Sequence, residues 1–145
     1  MMHCMYPIVN KDLHSDQQIK DILSLRTVAV IGMSKHSSKA AHYVPKYLID
    51  NGYDVTPVNP TADKILDIRC YDSVSEINGP IDIIDVFRPS NQIASIIQSC
   101  IEKKPKVIWL QEGIHDFDSE ELARKSGITV IFNRCMLAEH RRLEL

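Results

Sequence analysis

The sequence predicts an α/β protein with a three-layer Rossmann-like fold, in which helices cover both faces of a mainly parallel sheet. Short runs rich in Val and Ile alternate with helical patterns along the chain, as parallel strands joined by crossover helices require. One such run, residues 27–31, stops at Gly32 and is followed by small, hydroxylated and cationic residues. A buried strand that leads through a glycine loop to a helix N-terminus is typical of a phosphate-binding site.

The helices are predicted from the spacing of apolar residues and from end signals. The first begins after a cap at Ser15 or Asp16, and the second has Pro45 in its first turn. Ser73 and Glu76 have the spacing of a capping box, which predicts one or two helical turns. The predicted helices cover residues 16–25, 41–51, 90–103, 119–125 and 136–143.

Six strands are predicted, in the sheet order 3-2-1-4-5-6. They cover residues 27–31, 54–58, 68–71, 81–87, 106–110 and 129–132. Ligands of such sheets bind beyond the carboxyl ends of the strands, at the point where the winding reverses. The sequence therefore predicts a site between the first and fourth strands.

Composition narrows the classes of function. The chain has 145 residues, 44% hydrophobic and 25% charged, which suits one domain. We expect this domain over residues 25–145, with residues 1–24 forming an arm and a helix packed on it. A net charge of −2 gives no reason to expect nucleic acid or an anionic membrane as a partner.

The sequence also predicts where in the cell the protein is located. The N-terminus does not resemble a secretion signal, and no run of about 18 apolar residues occurs, so we expect neither secretion nor a membrane span. The four cysteines are widely separated, unlike a disulfide framework or a metal site. The chain is therefore expected in the reducing cytoplasm, without a bound metal.

Charge around the glycine loop has one sign. No Asp or Glu occurs from residue 22 to residue 49. This stretch contains four cationic side chains, Arg26, Lys35, Lys39 and Lys46. Such a surface suits a polyanionic small molecule; a solvated basic face is the alternative.

The end of the second predicted strand distinguishes among nucleotides. A fold that holds NAD through its ribose normally has Asp or Glu there, after a full G-x-G-x-x-G loop. This chain has Asn59 followed by Pro60, and Gly32 stands without the other loop glycines. NAD is therefore disfavoured, whereas NADP would tolerate Asn59 near a lysine.

Five short motifs follow one another along the chain: VAVIGMS at 28–34, GYDVTPVNP at 52–60, DVFR at 85–88, VIWLQEG at 107–113 and RCMLAEHR at 134–141. In this order and spacing they resemble the family of small stand-alone CoA-binding domains. That family is similar to the N-terminal domain of the succinyl-CoA synthetase alpha subunit. The resemblance covers about residues 25–143, and it implies a Rossmann-like fold with coenzyme A as the ligand.

The resemblance assigns a phosphate side to the site. CoA carries a diphosphate and a 3′-phosphate, which need backbone N–H groups at a helix N-terminus and nearby cations. The residues assigned to this role are Gly32, Met33, Ser34, Lys35 and Lys39. A tight turn between strand and helix is the alternative role of Gly32.

The adenosine end is assigned to Asn59 and Pro60, for which a plain Asn-Pro turn is the alternative. The family often has a lysine just after this proline, where this chain has Thr61. Lys64 is the candidate to replace that lysine beside the 3′-phosphate.

The rest of the ligand is expected beside the ends of the fourth and fifth strands. The residues implied there are Val86, Phe87 and Arg88 on one wall, and Gln111, Glu112 and Gly113 near the pantetheine arm. By pattern alone, Val86 and Phe87 are core residues. Arg88 could instead pair with Asp85 or Glu112, and the side chain of Glu112 could simply face solvent.

Cys135 is the candidate for chemistry. It lies between Arg134 and a predicted helix N-terminus, both of which favour a thiolate, so a mixed disulfide with the CoA thiol is one hypothesis. Packing under the sheet is the other. His140 beside Glu139 could form an acid/base pair or a structural hydrogen bond, and His115 is expected to face solvent.

Three functions stay open at this point. The first is binding of CoA or an acyl-CoA by a non-catalytic carrier, sensor or regulatory module. We expect this because the chain ends without the phosphohistidine domain and the nucleotide-grasping subunit that the synthetase chemistry needs. The second is an enzyme, either an NAD(P)-dependent oxidoreductase or a CoA-thiol redox protein that uses Cys135. The third is a protein-interaction domain with an empty pocket; a homodimer or another protein partner stays open.

Overall fold

The computed structural model describes residues 11–145, in which one sheet lies between two layers of helices. The helices are α1 (Asp16–Leu23), α2 (Ala40–Asp50), α3 (Ile93–Glu102), α4 (Phe117–Lys125) and α5 (Met136–Arg142). The strands are β1 (Thr27–Ile31), β2 (Asp54–Val58), β3 (Lys64–Ile65), β4 (Ile68–Arg69), β5 (Ile83–Val86), β6 (Val107–Leu110) and β7 (Thr129–Ile131). Single 3-10 turns occur at Val74–Glu76 and Ser90–Gln92.

Five parallel strands form the main sheet in the order β2-β1-β5-β6-β7. The central strands β1, β5 and β6 are buried at nearly every position, as expected for a parallel sheet covered on both faces. The predicted fold class is confirmed. The predicted strand order is wrong at one edge, because the predicted third strand does not join this sheet.

The predicted third strand, residues 68–71, is divided between a hairpin and a single bridge. β3 and β4 pair antiparallel, and the turn between them holds Leu66 and Asp67 at φ 52° and 62°. Two successive residues with positive φ are characteristic of the type I′ turn that closes a tight hairpin. The chain therefore folds back on itself here, and Tyr71 forms an isolated parallel bridge with Val58.

The core lies on both faces of the sheet. On one face, α1, α2 and α5 bury Leu23, Leu48 and Met136 against Val30 and Trp109 of the strands. On the other face, α3 and α4 cover the opposite side chains of the same sheet. The first ten residues of the expected N-terminal arm lie outside the described residues. Within residues 11–145, no helix is both long and apolar enough to cross a membrane.

Helix α2 begins at Ala40, one residue earlier than predicted, and Pro45 lies in its second turn rather than in the predicted first turn. A proline at this position leaves the carbonyl of Ala41 without its helical donor. The backbone N–H of Ser34 donates to this carbonyl at 3.0 Å. The proline thus creates the acceptor that ties the glycine loop to the helix after it.

The two predicted helix caps have different outcomes. Ser15 caps α1 in a full capping box with Gln18. Ser73 forms no such cap, and its hydroxyl instead lies 2.7 Å from that of Ser75. The capping-box prediction at Ser73 is wrong because the segment forms a single 3-10 turn, not the α-helical turns on which that motif is built.

Candidate functional site

A cleft of about 540 Å³ opens beyond the carboxyl ends of β1, β2 and β5, where the winding of the sheet reverses. Seven of the predicted site residues line it: Gly32, Met33, Ser34, Lys39, Asn59, Pro60 and Arg88. Its other lining residues are Ile31, Val58, Thr61, Asp72, Gln92 and Ile96. The structure thus brings the predicted phosphate and adenosine residues, except Lys35, together in one cleft.

A second cavity, of about 350 Å³, adjoins the first at Arg88, which lines both. Three more predicted site residues line it, Phe87, Gln111 and Glu112, together with Cys135. The remaining wall is largely apolar and consists of Ala40, Ala41, Tyr43, Val44, Pro89 and Ile114. Both volumes lie in the range of about 300–1,000 Å³ that is typical of small-molecule sites.

Three predicted site residues, Lys35, Val86 and Gly113, line neither cavity. Val86 is 1% exposed and packs into the core on the α3 side, which is the core role that its pattern indicated. Gly113 donates its N–H to the side-chain oxygen of Asn133 at 2.7 Å. Lys35 is exposed on the loop before α2.

Gly32 is required by a close approach as well as by its backbone conformation. It has φ 84°, and a Cβ added there would lie 2.7 Å from the carbonyl oxygen of Phe87. The Gly32 N–H donates to the Val58 carbonyl at 3.0 Å. A glycine at this point therefore lets the loop after β1 lie against the ends of both β2 and β5.

The N–H groups that could meet an anion differ only in part from those predicted. Those of Gly32 and Ser34 donate within the protein, to Val58 and Ala41, so they are not available to a phosphate. Within residues 11–145, the N–H groups of Met33 and Lys35 in the loop, and those of Ala40 and Ala41 at the start of α2, have no acceptor. The positive end of the α2 dipole lies at the same place. Free N–H donors therefore occur both in the loop and at the start of the helix, and the dipole adds to those of the helix.

Asn59 connects the two loops that form the cleft. Its Nδ2 donates to the Met33 carbonyl at 2.9 Å, and its Oδ1 accepts from the N–H and the hydroxyl of Thr61, each at 2.8 Å. These contacts support the turn role that was the alternative for Asn59. Thr61 lines the cleft, whereas Lys64, the candidate replacement for a lysine, does not.

Arg88 forms neither of the ion pairs that were alternatives in the sequence. Its guanidinium donates through Nε to Gln92 Oε1 at 2.9 Å, with a further bond from Nη2 to the same oxygen. Within residues 11–145, no carboxylate lies within ion-pair distance of Arg88 or Lys39. Both charges are therefore open to an anionic ligand.

Cys135 does not have the thiolate character that its sequence neighbours indicated. Burial raises the pKa of its thiol, and the backbone N–H groups at the start of α5 offset this only in part. The charge of Arg134 is already paired with Asp12 at 3.0 Å and Glu139 at 2.8 Å. Of the two hypotheses for Cys135, the structure favours packing, because desolvation outweighs the helix end and the nearby cation is neutralised.

The histidines have structural partners. His140 lies 2.7 Å from the Tyr47 hydroxyl through Nδ1, and Glu139 is paired with arginines, which supports the structural role over an acid/base pair. Burial lowers the pKa of His140. The expectation that His115 faces solvent without a partner is wrong, since its Nδ1 lies 2.6 Å from the buried carboxylate of Glu120.

Sequence reasoning missed the part that the start of α2 takes in the second cavity. Ala40, Ala41 and Tyr43 line this cavity. The available signal was a pair of alanines at the start of the helix that follows the glycine loop. Gln92 had no such signal, because its role depends on where the fold places Arg88.

Comparison with known proteins identifies the family. The chain matches the CoA binding domain over residues 26–141. It therefore belongs to this family of CoA-binding domains, as the five motifs predicted. It is 36% identical over 127 residues to the uncharacterized protein YneT of Bacillus subtilis (strain 168), covering 87% of this chain and 94% of that one.

Solved structures and longer enzymes also match. The structure is similar to that of cell-free ID.343 from Thermus thermophilus, with a TM-score of 0.87 and 37% identity, covering 90% of this chain and 99% of that one. The chain is 29% identical over 129 residues to an ADP-forming acetate–CoA ligase of Methanocaldococcus jannaschii. This match covers 83% of the chain but 18% of the ligase, so the chain spans less than a fifth of that enzyme.

Proposed function

We propose that the protein binds coenzyme A or an acyl-CoA, as a non-catalytic carrier, sensor or regulatory module. The observation that carries the proposal is the position of Arg88 between two adjoining cavities of unlike character. One cavity has cations at its wall, and the other is largely apolar. CoA has the same division, with its phosphates at one end and an uncharged pantetheine arm at the other.

The arrangement of charge supports phosphates near Arg88. Lys39 and Arg88 lie in the cleft wall without carboxylate partners within residues 11–145, and the free N–H groups of Ala40 and Ala41 begin α2 beside them. A helix N-terminus with nearby cations is a favourable environment for a diphosphate. The pantetheine arm, and any acyl group, would then extend into the second cavity toward Gln111.

The non-catalytic role is supported by the state of the reactive groups around the cavities. The thiol of Cys135 has a raised pKa, which lowers the fraction of nucleophilic thiolate. His140 and His115 line neither cavity, and their Nδ1 atoms contact Tyr47 and Glu120. Within residues 11–145, no histidine therefore lines either cavity as a candidate acid or base.

Isothermal titration calorimetry tests the proposal with CoA, acetyl-CoA, dephospho-CoA, NADP and NAD. CoA and acetyl-CoA should bind, dephospho-CoA should bind more weakly, and the nicotinamide cofactors should bind least. The purified protein should show no ATP turnover with CoA and acetate. Binding of NADP without binding of CoA, or measurable ATP turnover, would overturn the proposal.

A further inference from the structure

A buried carboxyl group lies beside the second cavity. Asp85 is fully buried in β5, among the apolar residues Ile83, Ile84 and Val86. Its Oδ1 accepts a side-chain N–H of Gln111 at 2.6 Å, whereas Oδ2 is buried and has no partner among residues 11–145. A carboxyl group at such a position costs the fold free energy that an apolar side chain would not. Its presence therefore indicates a task other than stability.

Gln111 connects Asp85 with the cavity. The side chain is 3% exposed, and it lines the cavity wall. Its Nε2 is held by Asp85, while its Oε1 accepts no hydrogen bond within the described residues and is not sealed from solvent. The carboxamide thus turns its donor inward and leaves its acceptor oxygen for the cavity.

We propose that Asp85 is a positioning residue, whose carboxylate fixes the carboxamide of Gln111 so that Oε1 accepts a hydrogen bond from an amide N–H of the ligand. This inference rests on the proposed function and names the part of the ligand that the second cavity recognises, an uncharged arm that carries secondary amides. A carboxylate can only accept, so it holds Nε2 inward. A protonated carboxyl group can also donate to Oε1, which lets the amide turn over and present its N–H groups instead.

Recognition of the arm should therefore follow the protonation of Asp85. Burial raises the pKa of this carboxyl to about 7, and the hydrogen bond from Gln111 opposes the shift in part. Above that pH the carboxylate fixes the amide, and below it the constraint is relaxed. Affinity for the amide-bearing arm should accordingly increase as the pH rises through this range.

Other titratable groups occur on the same side of the sheet or at the cavity: Cys135, His42, Tyr47, Tyr53, His140, Tyr43 and Glu112. Cys135 interacts electrostatically with Asp85, but its pKa is raised from an already alkaline value. His42 and His140 are hydrogen-bonded to the Ser34 carbonyl and the Tyr47 hydroxyl. Two ligands that differ in the arm, together with an Asp85 variant, distinguish the titration of Asp85 from the titration of these groups.

The test compares CoA with the methyl ester of 3′-phosphoadenosine 5′-diphosphate, which lacks the arm but keeps the 3′-phosphate and the esterified diphosphate of CoA, by calorimetry about one pH unit below and above the pKa of Asp85. The ratio of the two affinities cancels the ionisation that both ligands share. In the wild-type protein this ratio should be about 3–10-fold larger at the higher pH, the contribution of one hydrogen bond. Gln111→Met should abolish the increase, and Asp85→Asn, which keeps an acceptor but cannot ionise, should make the ratio independent of pH. Gln98→Met, an exposed glutamine on α3, is the matched control and should behave as the wild type.

Each outcome decides between the inference and its alternatives. A wild-type ratio that is the same at both pH values, or a pH dependence that survives in Asp85→Asn, would overturn the role of Asp85. A Gln111→Met variant that keeps the wild-type ratio would overturn the role of the carboxamide. If the wild-type protein binds both ligands equally, this inference fails while phosphate recognition stands; if it binds neither, the proposed function fails as well.

Discussion

Replacement of Gly32 by alanine tests why a glycine stands at the start of the loop. At φ 84° the new side chain is strained, and its Cβ would lie 2.7 Å from the carbonyl oxygen of Phe87 and 3.0 Å from Cδ of Arg88. Left-handed backbone strain costs about 1–2 kcal/mol, and forcing an extra carbon into a packed contact costs about 1–3 kcal/mol. We therefore expect Gly32→Ala to lower the free energy of unfolding by about 2–5 kcal/mol.

Gly79 provides a matched control, because it has the same φ of 84° and nothing within 4 Å of an added Cβ. Gly79→Ala should therefore cost the backbone strain alone, about 1–2 kcal/mol. Urea unfolding followed by circular dichroism measures both losses, and unchanged m values would show that the variants are comparable. Equal losses in the two variants would refute the reasoning, since they would leave no cost for the contact with Phe87.

Three further changes test charges and thiol chemistry. Lys39→Ala should weaken CoA binding, more at low salt than at high salt, because exposed charges are screened over about 8–10 Å near physiological ionic strength. Lys46→Ala, which removes an ammonium paired with Asp50, is the control for the calorimetry. Equal effects in both variants would contradict a specific role for Lys39. As the pH rises from 3.8 to about 7, Asp85→Asn should gain stability relative to the wild type by about 1.4 kcal/mol per pH unit. Over that range the folded wild-type protein keeps the Asp85 proton and its unfolded chain releases it. Urea unfolding at several pH values gives the slope, and equal pH dependence of the two proteins would contradict the raised pKa. Cys135 should react with oxidised CoA more slowly than the same thiol in the unfolded chain, since burial raises its pKa; mass spectrometry after mixing follows the addition, and rapid stoichiometric modification of the folded protein would contradict this expectation.

The main sheet was predictable because its strands are short Val- and Ile-rich runs bounded by turn signals. The β3–β4 hairpin was not, because its turn consists of Leu66 and Asp67 rather than the Gly-containing pair that normally marks a type I′ turn. Tertiary contacts hold the turn in a conformation that its residue types do not indicate.

The residues of the site were more predictable than their roles. The loops after β1, β2 and β5 meet because the carboxyl ends of parallel strands share one edge of the sheet. The engagement of the Ser34 N–H depends on Pro45, which leaves the Ala41 carbonyl without its helical donor. The pKa of Cys135 depends on burial, and the pairing of Arg134 depends on Asp12, which is distant in sequence.

The part that Asp85 takes in the site was not predictable from the sequence. It occurs within an apolar run close to Arg88, a position that indicates an ion pair. Its contact with Gln111 joins β5 to the end of β6, and this contact forms only when the two strands pair. The burial that raises its pKa is likewise a property of the assembled sheet.

An NMR titration with CoA tests the central claim most directly, because it reports both binding and position. In isotope-labelled protein, the backbone amide signals of Ala40, Ala41 and Gly32 should shift with CoA concentration and reach saturation together. Those of Gly79 and Gly127, which lie outside the two cavities, should stay unchanged. Saturable shifts confined to other surfaces, or no shifts with CoA at all, would contradict the claim that CoA lies across the two cavities at Arg88.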